Sequence, residues 1–184
     1  MPRQRMLPIL RVSVAVLILG VAAHASQAPL FGPAADPRTP ARLDVAIRAS
    51  TAAIVPGRPT VLSLEMRPAP GIHVYAPGNP RYSPVSVTLT VPPGVQVHTA
   101  VYPEGEDYVF GELKETVKVY SRPFQVRQQI VASRDAARAA GVSMTIGGSV
   151  RYQACDDKVC FPPATAPVAI TLPIATRAPA PAAS

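Results

Sequence analysis

Proline recurs 23 times along the chain, and a residue without a backbone N–H interrupts both helix interiors and the middles of sheets. Long helices are thereby excluded. The prolines also divide the chain. Residues 26–41 ("SQAPLFGPAADPRTPA") and 175–184 ("ATRAPAPAAS") are Pro/Ala-rich segments expected to be extended and flexible, without the spaced apolar residues of a core. Between them, residues 42–174 carry the candidate domain.

Within that stretch apolar residues alternate with polar ones at short intervals. The runs are Leu43, Val45 and Ile47; Leu62, Leu64 and Met66; Val85, Val87, Leu89 and Val91; Val95, Val97 and Val101; Val117 and Val119; Phe124, Val126, Gln128 and Ile130; Val142, Met144, Ile146, Val150 and Tyr152; and Val168, Ile170 and Leu172. Period two is the signature of strands with one buried face. Turn pairs such as Pro56-Gly57, Pro77-Gly78 and Gly147-Gly148, and the longer Pro92-Pro93-Gly94, punctuate them. Only residues 133–140 ("SRDAARAA") suit a short helix, with Ser133 as N-cap and Gly141 as stop. Seven to nine strands so punctuated predict an all-β, immunoglobulin-like antiparallel β-sandwich.

The N-terminus sets the compartment. Arg3, Arg5 and Arg11 precede a dozen apolar residues from Val12 to Ala23, and Ala23-His24-Ala25 fits a small-x-small cleavage site. Residues 1–25 therefore read as a secretory signal peptide. The apolar run is shorter than the roughly 20 residues a membrane span needs, so no stable membrane insertion is expected after cleavage. The formal charge of +7 falls to +4 when those three arginines leave, and the remaining basic residues are scattered. No footprint for nucleic acid results. Nucleophile-elbow and phosphate-cradling glycine motifs are also missing, which leaves hydrolase and kinase readings without support.

Two cysteines, Cys155 and Cys160, stand in "YQACDDKVCFPP", residues 152–163. Export permits a disulfide. As a permanent staple it would close a very short loop, constraining the unfolded chain by only about 2 kcal/mol. A zinc site needs four ligands, and after signal removal only His73 and His98 accompany the cysteines. Met66 and Met144, conceivable copper(I) ligands, occupy alternating apolar positions and read as core. A redox-active dithiol needs one accessible sulfur with a resolving partner nearby, which this spacing allows. On the residues alone, staple and dithiol both stand, with a metal clip the least supported of the three readings.

The stretch "VRYQACDDKVCFPPATAPVAITLP" resembles the end of the N-terminal periplasmic domain of the thiol:disulfide interchange protein DsbD, the disulfide-bond-corrector family. The likeness extends back through "PGIHVYAPG" and "YPEGEDYVFGELKETVKVY". It implies an immunoglobulin-like domain without cofactor or metal that carries electrons in the periplasm. Its donor would be a thioredoxin-like or membrane thiol-disulfide reductase. Its acceptors would be a periplasmic disulfide isomerase or cytochrome-maturation thioredoxin-like proteins.

The same likeness makes Cys160 the sulfur that joins partners and Cys155 the one that resolves the mixed disulfide. A shielding cap loop corresponds to Asp107, Tyr108, Val109, Phe110 and Gly111, with either Val109 or Phe110 at the shielding position. His73 and Tyr75 correspond to the aromatics beside the cysteines. Since residues 175–184 stand where further domains of the family begin, this chain is expected to draw its reductant from another protein. Read without the resemblance, His73 is a surface strand residue, and Asp156 and Asp157 are a turn pair. The competing expectation is an immunoglobulin-like protein-binding module whose disulfide only stiffens a loop.

Overall fold

A computed structural model describes residues 42–78, 81–110 and 115–175. Residues 1–25, expected to be a signal peptide, the segment 26–41 and residues 176–184 lie outside the described residues. Eleven strands and one helix occupy the described part. They are β1 (Leu43–Ala49), β2 (Pro59–Pro68), β3 (His73–Tyr75), β4 (Ser86–Thr90), β5 (Val95–Val97), β6 (Glu106–Phe110), β7 (Glu115–Tyr120), β8 (Phe124–Ala132), α1 (Arg134–Ala140), β9 (Ser143–Tyr152), β10 (Ala154–Cys155) and β11 (Ala164–Pro173).

Every strand pair is antiparallel, in three sheets of order β1-β2-β8-β5, β10-β3-β7-β6 and β11-β9-β4. The first sheet forms one layer. Leu43, Leu64, Met66 and Val126 from it meet Val74, Ala154 and Tyr120 of the second sheet, and Val150, Tyr152 and Val168 of the third, in one continuous core. A second cluster toward the other end packs Leu62 and Ile130 on Met144, Ile146 and Leu172. The predicted β-sandwich is thus the observed fold, and the alternating residues are its inward faces: Leu62, Leu64, Met66, Val126 and Ile146 are all fully buried. Met66 and Met144 lie in this core, as their positions in the alternation imply.

The helix forms where its signals stand. Ser133 Oγ accepts from the Ala136 N–H at 3.0 Å, and Gly141 ends the turn at φ 74°. Its small residues Ala136 and Ala137 are buried, so a seven-residue helix too short to stand alone is held by packing. Gly94, at φ 81°, accepts the Ser133 N–H at its carbonyl and approaches so closely that a Cβ would sit 2.9 Å from Ser133 Oγ. That turn therefore requires glycine.

Three elements are absent from the sequence pattern, β3, β6 and β10, and all three belong to one sheet, with β7 between β3 and β6. β9 and β11 run the length of the sandwich, ten residues each, from Tyr152 opposite Ala164 to Ser143 opposite Pro173. At about 3.3 Å per residue they separate the two ends by about 30 Å.

Candidate functional site

The parity of one sheet assembles the site. Directly opposed residues in antiparallel strands share a face, and so do residues two apart along a strand. Cys155 pairs with His73, Tyr75 with Val119, and Tyr108 with Val117. Cys155, His73, Tyr75, Val117, Val119 and Tyr108 therefore stand on one face of the β10-β3-β7-β6 sheet. The residues between them, Ala154, Val74 and Tyr120, turn into the main core. Tyr75, Val117, Val119 and Cys155 form a separate buried cluster, with Tyr82 and Tyr108 packed against it.

Cys155 and Cys160 are joined as a disulfide, with Cα atoms 4.0 Å apart. They close a four-residue hairpin. The Asp156 N–H donates to Val159 O at 3.0 Å, and the Phe161 N–H to Ala154 O at 2.9 Å. The Asp156 carboxylate accepts the Lys158 and Val159 N–H groups, each at 2.8 Å. Those donors favour its charged form and hold its pKa below the usual carboxylate value, the Val159 bond contributing most. The aspartate pair is thus the turn expected of it.

Beyond the turn the two sulfurs differ. Cys155 sits in a strand and is 0% exposed, whereas Cys160 is exposed. The cationic Arg42 lies 3.5 Å above the Phe161 ring. The Gln153 side chain donates to Phe161 O at 3.2 Å and accepts from the Ser83 N–H at 3.4 Å, tying the returning arm to the body.

Tyr75 bridges both sulfurs. Its hydroxyl lies 3.4 Å from Cys160 Sγ and 3.6 Å from Cys155 Sγ. A disulfide has no proton to give, so the phenol is the donor. Burial pushes its pKa up to about 12, which keeps the proton in place at neutral pH. Tyr82 stacks on Tyr75 at 4.2 Å with nearly parallel planes, and donates its own hydroxyl to Glu115 at 2.9 Å. Tyr82 escaped the sequence reading, because nothing in an isolated tyrosine between turns announces a stack on another aromatic.

The residues expected as a cap loop form β6, an edge strand. Tyr108 lies over the His73 ring at 4.3 Å and donates to Asp157 at 3.1 Å, so it spans from β6 to the cysteine hairpin. Val109 lies on the opposite face, 62% exposed, beside Asp107, which pairs with Lys118 at 3.1 Å. Gly111 and the side chain of Phe110 lie outside what is described. His73, a surface strand residue when read without the resemblance, is buried at 3% exposure because β3 is the inner strand between β10 and β7. Desolvation lowers its pKa, outweighing the nearby Asp157 and Asp156 charges, so the imidazole is neutral at pH 7.

These features define a class: an immunoglobulin-like sandwich bearing a hairpin disulfide with one sulfur sealed in a strand and the other open to solvent. Residues 43–172 match the family model described as thiol:disulfide interchange protein DsbD, N-terminal, and the chain belongs to that family. No curated protein matches it. Among solved structures it is similar to a chain of the complex between the DsbD N-terminal and the PilB N-terminal domains from Neisseria meningitidis. That pair is 16% identical, covers 72% of this chain and 87% of that one, and has a TM-score of 0.43. A structure of AvmM, described as catalysing macrocyclization in alchivemycin A biosynthesis, is 9% identical with a TM-score of 0.29, over 76% of this chain and 92% of that one. Among the described residues no helix is long and apolar enough to cross a membrane.

Proposed function

We propose that this chain is a periplasmic thiol-disulfide exchange protein that carries two electrons at a time through Cys155 and Cys160. The observation that carries the reading is the unequal exposure of the two sulfurs. An incoming thiolate reaches Cys160 Sγ, the exposed one, and the bond to Cys155 breaks with Cys155 leaving as the thiolate. A second thiol of the donor then resolves the mixed disulfide, and the domain is left as a dithiol, having gained two electrons and two protons. In the donating direction Cys160 attacks a client's disulfide. Cys155 then closes on Cys160, and the client departs reduced.

Three residues support this chemistry. The Tyr75 hydroxyl reaches both sulfurs and would stabilise whichever is the anion. Without it, a thiolate at the fully buried Cys155 would face a large desolvation cost. Tyr108 and its bond to Asp157 act as the cap over the hairpin, and His73 backs Tyr108 from below. Thioredoxin-like donors and clients fit, since their own exposed thiol must approach a single accessible sulfur.

Trapping tests the assignment. A Cys155→Ser variant should accumulate a mixed disulfide with its partner through Cys160. Cys160→Ser, which leaves only a sealed thiol, should accumulate none. Equal trapping by both folded variants, or by neither, removes the reading. A shuttle's potential should also fall between those of thioredoxin and isomerase-type proteins, roughly −270 to −180 mV. A value below about −300 mV marks a structural bridge.

A further inference from the structure

At the end of the sandwich away from the disulfide an open cleft of about 590 Å³ lies between the β1–β2 connection and α1. Its apolar lining includes Val55, Pro56 and Ile174, and three arginines also line it: Arg58, Arg134 and Arg138. Arg134 and Arg138 are four apart on α1 and so share a face of the helix. Arg58 follows a turn that is pinned twice, by the Arg58 N–H to Val55 O at 3.0 Å and by the Gly57 N–H to Ala132 O at 2.8 Å. Ala132 immediately precedes the helix cap. The three cations therefore project from neighbouring rigid segments rather than from independent loops.

Their charge is largely unanswered. Arg138 pairs with Asp135, the acidic residue of α1. Arg58 and Arg134 have no ion pair or side-chain hydrogen bond among the described residues. Glu104, Glu106, Asp107, Glu115, Asp156 and Asp157, by contrast, belong to or flank the sheet that holds the disulfide. Residues 175–184, which continue from the cleft's Ile174, contain no acidic side chain. Two arginines that line one concavity without an acidic partner among the described residues leave an excess of positive charge there. An oxyanion between them offsets that excess, and the planar fork of each arginine matches phosphate oxygens two at a time.

We propose that this cleft is a binding site for a phosphate-bearing anion, held by Arg58 and Arg134 with Arg138 at its border, beside the apolar Val55, Pro56 and Ile174. The full lengths of β9 and β11, about 30 Å, separate it from Cys160, so occupancy leaves the exchange face free. The phosphate is either free in solution or part of a lipid headgroup, and the two sources separate by experiment.

The oxidised chain is titrated with inorganic phosphate at constant ionic strength while backbone amide NMR shifts are followed, and its co-sedimentation is measured with vesicles of phosphatidylglycerol and of phosphatidylcholine. Saturable shifts at Gly57, Arg58, Arg134 and Gly141 are expected, weakened about tenfold in an Arg58→Ala, Arg134→Ala variant, since a charge-assisted bond contributes at least that factor. An Arg67→Ala, Arg151→Ala variant removes the same charge from exposed positions elsewhere and should bind as the parent does. Selective sedimentation with phosphatidylglycerol identifies a headgroup as the source. Phosphate binding without sedimentation identifies a soluble one, and both results support the site. No saturable binding of either probe, or equal weakening by the two double variants, overturns it.

Discussion

Replacing Tyr75 by Phe removes one oxygen from the site and leaves the rest in place. The ring is 1% exposed and keeps its stack on Tyr82 at 4.2 Å, so packing is preserved. In the oxidised protein the hydroxyl donates to neutral sulfurs at 3.4 and 3.6 Å, a contact near the weak end of hydrogen bonding, worth about 0.5 kcal/mol. In the reduced protein the acceptor is a thiolate, and a bond to a charged group contributes about 1.5–3 kcal/mol. At 1.36 kcal/mol per pH unit, the lower figure raises the pKa of the reactive thiol by about one unit.

At neutral pH the thiolate fraction then falls about tenfold. The more basic thiolate is a better nucleophile by about threefold, with a Brønsted slope near 0.45, so exchange slows by only about three- to fourfold. The assay is the pH dependence of alkylation of the reduced protein by iodoacetamide, beside urea unfolding of the oxidised form. The expected result is a profile displaced upward by about one unit with the urea midpoint nearly unchanged. An unmoved alkylation profile would refute the donor role. A loss of more than about 2 kcal/mol in the oxidised fold would show that Tyr75 serves the core instead.

Tyr108→Phe deletes the bond to Asp157 at 3.1 Å but keeps the ring over His73; reduction of the disulfide by dithiothreitol should accelerate severalfold while thermal stability shifts by less than about 1 kcal/mol, and an unchanged rate removes this bond from the cap. Glu106 accepts from Ser121 and Arg122, with the Ser121 side-chain bond foremost, and its pKa is lowered from 4.5 to about 2. Its stabilisation is therefore fully present above about pH 4.5 and is lost as pH falls through 2. The acid-side decline of the urea midpoint should flatten in Glu106→Gln. Gly148→Ala would place a Cβ 2.5 Å from Thr88 O in the facing strand; the parting of β4 from β9 should cost about 1–3 kcal/mol by urea unfolding.

The strands legible in the sequence are those with one wet face and one dry face. β1, β2, β8, β9 and β11 each alternate, and so does β4 in a muted form. β3 is buried at all three positions, which erases the period, and β10 is two residues long. β6 is an edge strand opening Glu106-Asp107, where charge replaces the hydrophobic signal. These three are the strands that hold the site. The cysteines were visible because their spacing and their Tyr-Gln and Pro-Pro flanks are local. The shared face of Cys155, His73, Tyr75 and Tyr108 was reached only through the family resemblance and not from period or spacing, since it depends on which strands become neighbours and in what register. Val109 shows the force of register: one step along β6 from Tyr108 turns a side chain from the site to solvent.

The hairpin from Cys155 to Cys160 gives the two halves of the bond different mechanical footing. Cys155 is clamped by the ladder to His73 and cannot travel, whereas Cys160 is carried on the outgoing limb of a four-residue loop. Opening the bond therefore removes one covalent tie from a limb that the Phe161 N–H to Ala154 O bond and the Gln153 side chain still hold to the body. For the proposed carrier, the difference that a partner meets between the oxidised and reduced forms lies at the exposed Cys160 and its limb of the hairpin.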